Sequence, residues 1–123
     1  MTLSRLHRLE EARTALEESV ALNRERGERL LEAHALAALG DMWRARGLPG
    51  TAVTCFEQSL ALRCALGDRR GEGWMLLRIA ETLAAKGDAS RARETAAEAM
   101  AIAEACRDAR LTDACTQIAR MEV

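Results

Sequence analysis

Tyrosine is missing from this 123-residue chain, phenylalanine occurs once, as Phe56, and proline once, as Pro49. A sheet draws on aromatic and β-branched residues, and both are scarce beside Ala, Leu, Glu and Arg, the strongest helix formers. A β fold is therefore disfavoured. With 49% apolar and 30% charged residues, the composition is that of a folded chain and not of a disordered tail. No window approaches the roughly 18 consecutive apolar residues needed to span a bilayer. The start, Met1-Thr2-Leu3-Ser4-Arg5, runs straight into charged sequence and not into the apolar core of a signal peptide. A cytoplasmic location is the default expectation.

Excess charge of either sign is also lacking. Eighteen Lys and Arg stand against nineteen Asp and Glu, a net charge of −1, which supplies no field to hold a phosphate backbone or an anionic membrane. Direct nucleic-acid binding and membrane binding are not expected. Cys55, Cys64, Cys106 and Cys115 form no CxxC pair and have no His at zinc-finger spacing. They read as reduced, small packing residues, and neither a metal nor a cofactor is expected. No Ser-His-Asp, Cys-His or paired-carboxylate set and no phosphate-cradling glycine loop can be assembled. Glu10-Glu11 and Glu17-Glu18 are sequence neighbours, which point apart on a helix. The chain is not expected to be an enzyme.

What is present is a regular punctuation. Gly27, Gly47, Gly67 and Gly87 lie 20 residues apart, and Arg107 takes the next slot. Glycine just past a helix accepts the left-handed conformation that closes the last turn, and Asp68, Asp88 and Asp108 follow as caps for the next helix. Between the slots, Leu36, Leu39 and Trp43 share one helical stripe, Ala52, Phe56 and Leu60 another, and Leu76, Ile79 and Leu83 a third. Pro49 suits a first turn, where its missing N–H is not needed. The pattern predicts six helices near 5–26, 28–46, 49–66, 69–86, 89–106 and 109–121.

A shift of 40 lays Leu16-Glu17-Glu18-Ser19-Val20-Ala21-Leu22 on Phe56-Glu57-Gln58-Ser59-Leu60-Ala61-Leu62. It also sets Leu36 on Leu76, Leu39 on Ile79, Gly40 on Ala80, Asp41 on Glu81 and Ala52 on Ala92. A two-helix unit is thus repeated, the mark of a solenoid. The small residues at Gly40, Ala80, Ala52 and Ala92 would let backbones approach where paired helices cross.

Leu36, Leu39-Gly40, Trp43, Gly47, Ala52, Phe56 and Ser59 fill, in order, the pattern of the tetratricopeptide repeat, which the chain resembles. Leu76, Ile79-Ala80, Leu83, Gly87, Ala92, Ala96 and Ala99 match it more loosely, and Ala12, Leu16 and Ser19 fit a second helix whose first helix is lacking. The 40-residue period exceeds the usual 34. It is similar to the extended repeats of bacterial signalling ATPases and pathway-specific transcriptional regulators. The resemblance implies an all-α fold of antiparallel helical hairpins stacked as a short right-handed α-solenoid. One domain spans 1–123: an incomplete repeat at 1–27, repeats at 28–67 and 68–107, and a capping helix at 108–123.

The resemblance implies a module that binds a protein or peptide, with first helices lining the groove. The groove candidates are His34, Ala37, Asp41, Arg44, Trp74, Leu77, Arg78 and Glu81. Trp74 has two readings, as groove anchor or as core filler. The basic and Asn clamp that some family members use for acidic tails is not matched, since Ala37 and Asp41 stand there. Leu3, Leu6, Leu9, Leu16 and Val20 form a further apolar stripe. It belongs to a longer array or is covered by a second copy in a homodimer, which makes self-assembly the alternative function.

Overall fold

The computed structural model describes residues 3–120. Six helices follow one another: α1 (Leu3–Glu25), α2 (Arg29–Ala45), α3 (Pro49–Leu66), α4 (Arg69–Lys86), α5 (Ala89–Cys106) and α6 (Ala109–Ala119). No strand occurs among the described residues. The sequence expectation agrees with these boundaries to within two residues wherever both can be compared. Arg120 closes α6, and residue 121, where that helix was expected to end, lies outside the described residues.

The turns explain the agreement. Gly27, Gly47, Gly67 and Gly87 all have positive φ, between 71° and 99°, and Arg107 joins them at φ 55°. Asp68, Asp88 and Asp108 each accept a hydrogen bond from the backbone N–H three residues on, at Gly71, Arg91 and Leu111. Each such cap satisfies one of the donors that a helix start leaves without a partner. Pro49 sits in the first turn of α3.

Each helix packs on the next, and α4 also meets α6. Ala37, Ala52, Val53, Phe56, Met75, Ile79, Leu83 and Ala92 form one core across α2 to α5. Leu76, Leu77, Ala80, Ala96, Ala99, Ile102, Ala103, Leu111, Cys115 and Ile118 form a second across α4 to α6. Leu60 and Trp74 touch both, so the core runs continuously along the stack. Phe56 is fully buried, which by area stabilises by roughly 1.5–3 kcal/mol.

Candidate functional site

The stacking brings three alternate helices, α2, α4 and α6, to one face. There Arg44 from α2, Glu81, Ala84 and Ala85 from α4, and Gln117 and Ile118 from α6 line a groove of about 430 Å³. Beside it the Arg78 guanidinium donates to the Asp41 carboxylate, tying α4 to α2. Arg44 and Glu81 have no ion-pair partner among the described residues. The groove therefore offers a cation, an anion and an amide, each from a different helix, around a floor of alanine and isoleucine. Converging polar groups over an apolar floor are what a binding site needs for both specificity and affinity.

Asp41, Arg44, Arg78 and Glu81 thus come together. The other four groove candidates do not. Ala37 is 9% exposed and Leu77 is 3% exposed, both inside the core, which corrects their reading as outward-facing residues. Leu77 is covered because α6 packs on α4 as well as on α5, so the buried stripe of α4 is wider than a two-neighbour helix would have. Trp74 is half-buried against both cores, and its Nε1–H donates to Asp108 Oδ2 at 3.3 Å. Its place is the core-filler one, with its polar edge spent on the α6 cap.

His34 is exposed on α2 and does not line the groove. Its Nδ1 lies 3.2 Å from Arg63 Nη2. Arg63 is almost wholly buried, and it also donates to Ser59 Oγ at 3.3 Å and to Asp68 Oδ2 at 3.0 Å. Ser59 in turn donates to the Ala33 carbonyl at 2.8 Å. A buried cation is tolerated when it is paired and hydrogen-bonded, and this network locks α2, α3 and the start of α4 together.

The apolar N-terminal stripe is divided by the fold. Val20 is buried with Ala35 and Leu36, and Leu16 packs against Leu39, Met42 and Cys55, so these two belong to the interior. The reading of the whole stripe as an assembly surface is corrected to that extent. Leu9 is half-buried and Leu6 is 41% exposed. The Leu3 side chain lies outside the described residues. Leu6, with Ser4, His7 and Glu10, lines an apolar recess of about 780 Å³ at the start of α1. It is larger than the groove on α2, α4 and α6, but its described lining comes from a single helix.

Behind that recess, Glu10 is held by two arginines. Arg13 donates to it at 2.8 Å and Arg46 Nη1 lies 2.7 Å away. The hydrogen bond from Arg13, followed by the charges of both arginines, holds the Glu10 carboxyl below its usual range. Arg46 also lies over the Trp43 ring at 5.3 Å, joining α1 to the end of α2.

Sequence reasoning missed Gln117, Ala84, Ala85 and Ile118 as groove residues, and it missed the Arg63 network. A signal for the first existed. The 40-residue shift sets Thr116 and Gln117 on Leu76 and Leu77, so α6 turns a polar side where α4 turns an apolar one. Among the described residues no group of three or more His, Cys, Asp or Glu is gathered as a metal site would require. No helix among them is long and apolar enough to cross a membrane.

Residues 1–65 match the family model described as Tetratricopeptide repeat. No curated protein sequence matches the chain.

Proposed function

Since the chain belongs to the tetratricopeptide repeat family, a protein-interaction fold, we propose that it binds a peptide segment of a partner protein on the face made by α2, α4 and α6. The observation that carries this reading is the convergence of Arg44, Glu81 and Gln117 on one groove while the neighbouring charges Asp41 and Arg78 satisfy each other. Charges left without partners beside a groove are available to a ligand. The balanced net charge of −1 favours a peptide over a nucleic acid.

In this reading 28–67 and 68–107 are the two complete repeats, with α1 the second helix of an incomplete one and α6 a cap. The segments Ala65-Leu66-Gly67-Asp68-Arg69-Arg70-Gly71-Glu72 and Ala84-Ala85-Lys86-Gly87-Asp88 resemble repeat arrays of bacterial transcriptional regulators, so the module would be the regulatory part of such a protein. Self-association is the second reading, favoured by Leu6, exposed at the mouth of an apolar recess.

Selection from a displayed library of random peptides tests the first reading. Enriched peptides should bind with micromolar affinity and lose at least tenfold against an Arg44→Ala/Glu81→Ala variant of unchanged melting temperature. Enrichment that ignores both substitutions would place the ligand elsewhere. Light scattering over a hundredfold range of concentration tests the second, through a dimer that Leu6→Glu dissolves.

A further inference from the structure

Arg63 carries its charge inside the joint between the α2–α3 hairpin and α4. The side chain is buried, and the start of α4 presses on it, since a Cβ on Gly71 would stand 2.7 Å from Arg63 Nη1. The guanidinium donates to Ser59 Oγ, to Asp68 Oδ2 and to His34 Nδ1. It has no acceptor to offer in return. The bond to His34 therefore exists only while Nδ1 keeps its lone pair, with the imidazole neutral and its proton on Nε2. Protonation would turn an N–H and a second cation against a buried one that has no room to withdraw.

The charges around His34 do not offset that second cation. On α2, its neighbours three and four positions away are Leu30, Leu31, Ala37 and Ala38. Arg29 and Glu28 stand five and six positions before it, more than a helical turn away, and Asp41, seven positions after it, is held by Arg78. From α1, Arg24 reaches α2 at Glu32, and at the start of α4 Arg69 holds Glu72 and Arg70 holds Asp108. Asp68, the carboxylate of the network, spends one oxygen on Arg63 and the other on the Gly71 N–H.

The internal repeat supplies the comparison. Under the shift of 40, Trp74 is the counterpart of His34, Asp108 of Asp68 and Ala103 of Arg63. There the indole Nε1–H donates directly to Asp108, and an indole does not titrate. The same joint is thus built twice, once with a side chain that takes up a proton near neutral pH. We propose that His34 is an acid-released latch on the joint of α2, α3 and α4. Releasing the bond to Arg63 and taking up a proton go together, so acid favours the released state. The joint loosens as pH falls through the ordinary histidine value of about 6.5. Because α2 and α4 also form the groove, a groove ligand would bind more weakly in acid. That consequence rests on the peptide-binding reading, and the latch itself does not.

The test measures melting temperature on the full chain without ligand, at about pH 7.5 and about pH 5.5, a window that excludes the ordinary carboxylate and thiol values. All proteins carry His7→Gln, because His7 is the other histidine and pairs with Glu11. On acidification the protein with His34 should lose about 3 °C more than the one with His34→Gln, whose amide oxygen still accepts from Arg63 and does not titrate. In ¹⁵N-labelled protein the amide signals of Ser59, Arg63 and Gly71 should move with the His34 ring as it titrates, and those of Trp74 and Leu111 in the second joint should not. Neither readout uses a groove ligand, so the result stands apart from that of the peptide selection. Equal losses with and without His34→Gln, a His34 ring that titrates while Ser59, Arg63 and Gly71 stay still, or equal movement in both joints would overturn the proposal.

Discussion

The ring of Phe56 lies so close over Gly40 that a Cβ on residue 40 would stand 2.6 Å from its Cε1 atom. In the next repeat the matching residues are Ala80 and Ala96, both small and both buried. Each crossing is filled once, by a ring against no side chain or by two methyl groups. Replacing Gly40 with Leu should overpack the first crossing and cost about 1–3 kcal/mol, read as a lower urea midpoint. Phe56→Ala in that background should recover part of the loss. An unchanged midpoint for Gly40→Leu alone would refute the contact.

Ser59 and Ser19 occupy equivalent positions with different consequences. Ser59→Ala removes the second hydrogen bond on the buried Ala33 carbonyl and one acceptor of the buried Arg63. The expected cost is about 1–3 kcal/mol. Ser19→Ala loses only the bond from Asn23 on a half-buried surface and should change stability by less than about 0.5 kcal/mol. Equal effects in chemical denaturation would contradict the network described around Arg63.

Arg107 holds the left-handed conformation that glycine holds at the four earlier slots. A side chain there costs about 1–2 kcal/mol, partly offset by the greater unfolded-state freedom of glycine. Arg107 is exposed, so Arg107→Gly should raise stability by about 0.5–1 kcal/mol. A fall in melting temperature would show that the arginine makes a contact stronger than the strain it bears.

Burial pushes the Cys55 and Cys115 thiols up, with the Glu17 and Glu81 carboxylates adding to the same direction. A raised thiol stays neutral to higher pH, and the thiolate is the reactive form. Cys64 is exposed, though its thiol too is raised, by partial desolvation and by Glu72. Iodoacetamide at neutral pH should therefore modify Cys64 in the native protein and reach Cys55 and Cys115 only on unfolding. The rate at Cys64 should keep rising with pH beyond the ordinary thiol value of about 8.5. Rapid native labelling of Cys115 would contradict its place in the core.

The helices were legible because their ends are written in residues with one conformational job. Gly67 and Gly87 close the turns, and Asp68 and Asp88 open the next helices. The repeat was legible because Leu16 to Leu22 resembles Phe56 to Leu62 at a fixed offset. Side-chain direction was harder. Leu77 reads as groove-facing when α4 is imagined with two neighbours, and it is buried because α6 is a third. Nothing in the sequence marks Arg63. Its burial depends on Ser59, Asp68 and His34, which meet only after α2, α3 and α4 have packed.

Mapping a library-selected peptide onto the protein by amide chemical shifts tests the central claim most directly. The account predicts perturbations concentrated on Arg44, Glu81, Ala85 and Gln117, lost together in the Arg44→Ala/Glu81→Ala variant. Perturbations confined to α1, α3 and α5, with the α2, α4 and α6 face silent, would contradict it.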